Sequence, residues 1–594
     1  MAEATRRGFL GAMAVAGGAA AGLATGESAA NATTAGRSSH GRSECAPPPN
    51  AATIKPDDPR YAELITRGYN SRFIAQPESV RVVHSAEQVV QVVNEAVRAG
   101  KKIVVRSGGH CFENFVDDPA TSIIIDVSEM NDVYFDPAHK AFAIEAGATL
   151  GQAYRSLYLG WGVTIPAGGC PSVGAGGHIA GGGYGPQSRR HGLVIDHLHG
   201  VEVVVVDRSG RARIVVATRE ARDPNRDLWW AHAGGGGGNF GIVTRYLMRS
   251  PSARGNDPAT LLPRPPAQQL VVSASWSWEN MTEEALSRLA DNYARWQQQN
   301  HADPAFESID SSLTMYHRSS GRIELFTAMD GDVPGADGIL WTLVQTVGEG
   351  VGIEPTFDYF SVAPWLRVTL SYDSGAGAYA LRFKSKAGYL RKPWTPAQLK
   401  VVYRYLTEGE GDVGASVYLM SLGGKINAVD PAATANPHRT APLIGFFDVG
   451  WWDPAEDDKW LASIRDAYRE MHADTGGVPV PGEAYDGAYI NYPDNDLADP
   501  ALNTSGVPWH KLYYKDNYPK LQQVKAKWDP RDVFNHALSV RLPGASDALP
   551  SLPSLPSLPP QTRPKNPRKA ETKKYPRRVS PRHANNLRSL GRPD

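Results

Sequence analysis

Two nucleophilic side chains sit in two glycine-rich stretches. His110 closes Arg106-Ser-Gly-Gly-His110, and Cys170 lies near the start of PAGGCPSVGAGGHIAGGGYG at 166–185. An imidazole nitrogen and a thiolate can each bond covalently to an electrophilic cofactor. Glycine lowers helix and strand stability, so this density marks backbone that must approach something closely. Successive unhindered N–H groups make an anion-binding concavity, for which a pyrophosphate is the natural occupant. Taken singly, a hydrogen-bonded loop histidine and a buried small cysteine are the ordinary readings. The flanking glycines argue against both. Gly236-x-Gly238-x-x-Gly241 spells a dinucleotide fingerprint, but it follows Trp229-Trp230-Ala231-His232 and does not run from a strand into an opening helix, so that reading is rejected.

The surrounding pattern supplies elements to position these loops. Ser85-Ala-Glu-Gln88 is a capping box, Val89, Val90, Val93, Ala96 and Val97 make a helical apolar face, and Gly100 is a stop. Lys102–Arg106 reads as a strand entering the His110 loop. Further strands are expected at Ile123–Asp126 and Ala141–Ala146, a helix at Leu150–Leu159, and a strand at Val163–Ile165 delivering the Cys170 loop. Val201–Val206 and Arg211–Val216 read as a hairpin turning at Asp207-Arg-Ser-Gly210. After Pro258–Pro266 the character changes. Leu270–Trp278, Ser311–Tyr316, Ile323–Met329, Ala378–Lys384 and Leu443–Trp452 read as strands, and Asn280-Met-Thr-Glu283 caps a helix towards Gln299. An antiparallel sheet with helices on one face follows.

The motif pair R-S-G-G-H at 106–110 and A-G-G-C-P-S-V-G at 167–174, with G-H-I-A-G-G-G-Y-G at 177–185, resembles the flavin-binding half of the berberine-bridge-enzyme-like oxidases. The likeness runs without a gap from 70 to 250, including Gly234–Thr244 on the diphosphate side. It returns in Tyr489-Ile-Asn-Tyr492 and in Trp509–Val540, and it is faintest in the middle. It implies an α+β, two-domain FAD-linked oxidase: a PCMH-type FAD-binding domain at 61–255, an antiparallel substrate domain at 256–492 and a C-terminal segment at 493–543 that closes back onto the flavin domain. It also implies FAD bonded at its 8α position to His110 and at C6 to Cys170. Around the cofactor it places Arg106, Ser107, Gly108, Gly109, Gly169, Val173, Gly174, Gly176, Gly177, His178, Gly181, Gly182, Gly183, Ile242, Val243 and Asn491. Val173 matches the position where a small side chain leaves room for oxygen, and Tyr184 the substrate-facing side of the ring.

A flavin oxidase needs a hydride acceptor, a base for the substrate proton and oxygen access, with the protein supplying orientation and electrostatics. The family commonly places a carboxylate after a strand ending in Gly-Gly-Lys, yet Gly423-Gly-Lys-Ile-Asn-Ala428 has no acid. Tyrosines remain. Tyr418, Tyr489 and Tyr492 resemble those of the bacterial members that oxidise sugars on glycosylated antibiotics, with Tyr492 the first choice as base and Tyr489 the second. A phenol titrates near ~10, so such use requires a lowered pKa. The implied reaction is oxidation of an alcohol or hemiacetal carbon of a sugar or glycosylated natural product, with O2 giving H2O2. Oxidative cyclisation or dehydrogenation of a specialised metabolite is the nearest alternative, and a non-catalytic binding protein the third.

The 594 residues are 41% hydrophobic with a net charge of zero, enough for sizeable cores and without the basic balance of a nucleic-acid binder. Arg6-Arg7, a mild apolar run at 11–24 and Ala30-Asn-Ala32 resemble a twin-arginine export signal at 1–32, too short to span a membrane and implying secretion. A polar linker is expected at 33–60. Cys45 and Cys111 either pair or remain two thiols. The Pro-rich basic tail at 544–594 is expected to be disordered. Its last 34 residues hold eleven Lys/Arg against Glu571 and Asp594, a net charge of +9, and either touch an anionic envelope or are simply solvated. No metal site is expected.

Overall fold

In the computed structural model residues 50–372, 381–409 and 414–545 are described. The export signal, Cys45, the basic tail and Ala378–Ala380 fall outside them. Four short strands open the chain: β1 (Ala52–Ile54), β2 (Ser79–Val82), β3 (Ile103–Arg106) and β4 (Ile123–Asp126). They form one sheet in the order β1-β2-β4-β3, parallel except for the β1–β2 pair. Residues 52–54 thus pair in a sheet although sequence placed them in the linker. The crossover helix Ala86–Arg98 is capped by Ser85, whose Oγ accepts from Gln88 N, while Gln88 Oε1 accepts from His84 N rather than from Ser85 N. Its Val89, Val92 and Val93 are fully buried, each contributing roughly 1.5–3 kcal/mol of apolar burial.

A second sheet holds β5 (Val133–Asp136), β6 (Ala141–Glu145), β7 (Leu198–Val206), β8 (Ala212–Thr218) and β9 (Ile242–Met248). Its order is β5-β6-β9-β7-β8, antiparallel throughout. The expected strand at Val163–Ile165 is not part of it. That run is fully buried, and Thr164 N–H bonds instead to Pro263 O at 2.8 Å. A short apolar run shows that a segment is buried, not that a strand lies beside it.

The remaining strands are β10 (Gln268–Ser277), β11 (Asp310–Tyr316), β12 (Arg322–Asp330), β13 (Thr356–Pro364), β14 (Arg382–Leu390), β15 (Gly414–Ser421), β16 (Leu443–Trp451) and β17 (Tyr485–Gly487). They make one antiparallel sheet ordered β13-β10-β12-β11-β15-β16-β14-β17. Helices Glu283–Asn300, Ala336–Gly348, Pro396–Thr407 and Asp457–Met471 touch one another in series and cover it. The first of them is capped by Thr282, not Asn280. Because alternate residues share a sheet face, Phe383, Tyr389, Met420 and Phe446 point the other way, towards Tyr69, Tyr489, Tyr184 and Tyr492. One buried apolar cluster runs through both halves. Among the described residues no helix is long and apolar enough to cross a membrane.

Candidate active site

β3 delivers Arg106, whose Nε and Nη2 donate to Asp126 Oδ2 at 3.1 and 2.9 Å. Arg67 donates to the same oxygen at 2.9 Å. Burial opposes ionisation of Asp126, but Arg106 and Arg67 hold its carboxyl below the usual range. The next residue, Ser107, donates to Ala146 O at 2.6 Å. Gly108 then meets Gly174 backbone to backbone, so a Cβ on either would collide with the other, and Gly109 adopts φ +78°. The glycines of the two motifs are needed because the two loops press together there.

The Cys170 loop is held from the other side. Helix Leu150–Trp161 begins with a capping box on Thr149, and its Leu150 and Gly151 N–H groups donate to Val173 O and Pro171 O, both at 2.9 Å. A helix start with its orphan donors thus satisfied fixes the loop. Cys170 is buried, with Sγ 3.3 Å from Ser172 Oγ. His110 is stacked under Tyr69, ring centroids 4.7 Å apart.

Both side chains open into one cavity of about 270 Å³ that runs between the halves. Arg106, Ser107, Gly108 and Gly109 line it, as do Gly169, Val173, Gly174, Gly176, Gly177 and His178. An added Cβ at Gly177 would meet nothing within 4 Å, and one at Gly237 would meet only Gly177 Cα and Ala180 Cβ near that limit. Bare backbone therefore faces the cavity from two sides. His178 Nε2 accepts from Gly168 N–H, and burial pulls its pKa down to about 4, so the ring is neutral.

Three tyrosines close the far wall. Tyr184 and Tyr492 share a hydrogen bond between hydroxyls at 2.7 Å. Tyr489 Oη accepts from Gly183 N–H and from Asn491 Nδ2, each at 2.9 Å, and Asn491 also donates to His178 O. Burial pushes all three phenols up, the opposite of the lowering that use as a base requires. Tyr492 rises to about 12, with Tyr184 moderating the effect, while Tyr489 rises further and Tyr184 well above its ordinary value. Tyr492 also stacks on Phe112, two residues after His110, at 5.6 Å and 8°.

Val243 and Asn491 line the cavity too, but five expected site residues do not. Gly181, Gly182 and Gly183 are small because Asn491, Asn436 and Val194 crowd them. Ile242 alternates away from Val243 into the core under the crossover helix. Tyr418 lies on β15, takes a hydrogen bond from Ser416, and packs on Phe446, whose ring also meets Tyr492. Sequence reasoning missed His536, which lines the cavity, stacks on Phe115 at 4.0 Å and is kept neutral by burial, its pKa pulled down to about 3. It lies within Trp509–Val540, the stretch already marked by the resemblance.

The C-terminal segment returns to the glycine run beside this wall. Lys525 Nζ donates to Asn239 O and Phe534 O, and Val540 N–H to Asn239 Oδ1. The donor set fits a flavin dinucleotide. Open glycine backbone suits a diphosphate, Arg106 Nη1 and His536 Nδ1 are buried with no partner among the described residues, and the nucleophiles His110 and Cys170 line the same cavity.

The family model for an FAD binding domain matches residues 77–213, and the model described as berberine and berberine like matches 488–541. Aclacinomycin-N/aclacinomycin-A oxidase of Streptomyces galilaeus is 53% identical over 551 residues, 91% of this chain and 99% of the relative. The chain belongs to the berberine-bridge-enzyme-like FAD-linked oxidases. Within this family it is also 30% identical to the hexose oxidase of Chondrus crispus, over 83% of this chain and 95% of that one. A solved glycopeptide hexose oxidase complexed with teicoplanin superposes with a TM-score of 0.80 at 48% identity, covering 83% of this chain and 100% of that chain. As a berberine-bridge-enzyme-like oxidase the protein is an FAD-linked oxidoreductase, with the PCMH-type two-domain fold.

Proposed function

We propose that this protein is a bicovalent FAD oxidase of a sugar or glycosylated natural product, with FAD bonded through His110 (8α) and Cys170 (C6). The observation that carries the reading is the convergence of His110, Cys170 and the Tyr184–Tyr492 hydroxyl pair on one cavity. FAD, when bound, supplies the hydride acceptor and, through reoxidation by O2, a source of H2O2.

The chain's own residues do the rest. Tyr492 takes the proton from the substrate hydroxyl, and Tyr184, donating to Tyr492 Oη, stabilises the phenolate that must exist first. Tyr489 is an acceptor for two fixed donors and holds the Gly183 backbone and the Asn491 side chain in register. The buried Tyr389, Phe446 and Phe112 rings exclude water around these phenols. Relatives named for aclacinomycin and for hexoses support a sugar-bearing substrate. The Arg6-Arg7 leader supports export of the folded protein by the twin-arginine route.

The test is the absorption and peptide mass map of acid-denatured protein, followed by a screen for peroxide with sugars and glycosides and identification of the products. Flavin mass on the His110 and Cys170 peptides and an oxidised sugar are expected. Apo mass from flavin-replete cells refutes the cofactor assignment, and a ring-closed product with the sugar intact refutes the substrate assignment. Changing Arg6-Arg7 to Lys-Lys should retain the protein inside the cell.

A further inference from the structure

On the face of β14 opposite Phe383 and Tyr389 lies a cluster of buried charges that the reaction does not use. Lys384 and Lys386 project from the same face of β14 and meet Glu113, Asp494 and Asp496, all less than a tenth exposed. Lys384 Nζ donates to Glu113 Oε1 at 2.5 Å and to Asp494 Oδ1 at 2.6 Å. Lys386 Nζ donates to Asp494 Oδ2 at 2.7 Å and lies 2.8 Å from Asp496, without reaching Glu113. Burial works against the charge on Lys384, but Asp494, Asp496 and Glu113 keep it protonated.

The positions of the acids in the chain give the cluster its meaning. Glu113 follows His110 by three residues, and Asp494 follows Tyr492 by two. The same two loops meet again where Phe112 stacks on Tyr492 and where Asn495 Nδ2 donates to Glu113 Oε2 and Asn114 Oδ1 at 3.2 and 3.0 Å. A buried ion cluster is a poor source of net stability, because desolvation offsets its Coulomb gain and apolar side chains of the same volume serve as well. It does fix geometry, since charge-assisted hydrogen bonds hold each carboxylate to particular donors.

We propose that Lys384 is a positioning residue that locks the loop carrying His110 to the loop carrying Tyr492, and so sets where the Tyr492 hydroxyl stands relative to the ring that His110 anchors. The inference rests on the roles given to His110 and Tyr492 above. Lys386 secures Asp494 to the substrate sheet and leaves the bridge between the loops intact.

The test compares Lys384→Met, Glu113→Gln and Lys386→Met holoenzymes. Glu113→Gln is the safeguard against misfolding, because it keeps shape and weakens only the bridge. Two readouts apply: visible circular dichroism of the bound flavin, which needs no substrate, and anaerobic flavin reduction by aclacinomycin A and by D-glucose as probes. Lys384→Met and Glu113→Gln should alter the dichroism. With whichever probe reduces the wild type, they should slow reduction by about tenfold or more at unchanged KM, as small misplacements of reacting groups do. Lys386→Met should lower the melting temperature while keeping both readouts. Wild-type dichroism and rate in Glu113→Gln, or equal changes in Lys386→Met, overturn the clamp. A wild type that holds no covalent flavin overturns instead the reading on which it rests.

Discussion

The hydroxyls of Tyr184 and Tyr492 lie 2.7 Å apart although 308 residues separate them. One ends the glycine loop after Cys170, and the other follows β17. Their contact makes the two phenols unequal. Burial raises both, yet Tyr492 reaches only about 12 because Tyr184 eases its ionisation, whereas Tyr184 is driven well above its ordinary value by burial and then by Tyr492.

Replacing Tyr492 with Phe should slow flavin reduction by roughly 100-fold or more, the usual worth of a positioned base. Reoxidation by O2 should change little. Stopped-flow traces of both half-reactions check this, and an unchanged reductive rate would clear Tyr492 of the role.

The pH dependence follows from the same pair. A base that must be ionised, with a pKa about 12 before substrate binds, gives a reductive rate that rises with pH across the neutral range. Removing the Tyr184 hydroxyl in Tyr184→Phe takes away the group that lowers it. The rising limb should therefore move to higher pH, and a profile identical to the wild type would contradict the assignment.

His110→Ala or Cys170→Ala should each leave flavin held through the other residue, with slower turnover. The double variant should lose its colour on acid denaturation and filtration. Colour retained in the double variant would falsify the attachment sites.

Gly177→Leu probes the cradle. A side chain there meets only the cavity, so the variant should fold with a near-normal melting temperature but take up little flavin. Gly174→Ala is the contrast. Its Cβ would strike Ser107 and Gly108, so stability itself should fall. Full flavin content in Gly177→Leu would show that the diphosphate does not lie along this backbone.

Stability should decline as pH falls from 7 to 5. His178, His191, His199, His232, His472 and His536 are held neutral by burial, with pKa values pulled down to about 3 or 4. Below about 6.5 the unfolded chain binds protons that the native state refuses, so their contribution is present above that pH and is lost as pH falls towards 4. Asp117, Asp310 and Asp448, raised to about 6 or 7 by burial, act in the opposite sense but are outnumbered. Urea midpoints across this range are the measurement, and a flat or rising midpoint on acidification would contradict the balance.

Local chemistry could be read along the chain wherever backbone shape required a particular residue. The glycines at 108 and 174 have no alternative where two loops touch, Gly109 turns at a positive φ against Arg67 O, and Ser85 and Thr149 cap helices through their own nearest donors. Those constraints act within a few residues, so sequence alone identified His110, Cys170 and the loops that carry them. The tertiary fold decided what stands opposite. Glycine at 181 to 183 reads the same whether the neighbour is a ligand or a side chain, and here the neighbours are Asn491, Asn436 and Val194. Ile242 and Val243 differ only in which face of β9 they occupy. Tyr418, Tyr489 and Tyr492 are equivalent as residue types. Only the packing of the eight-stranded sheet against the glycine loops left Tyr418 off the cavity wall and set Tyr492 against Tyr184. Lys384 and His536 carry no local signal, because a buried lysine or histidine acquires its partners from segments more than a hundred residues away.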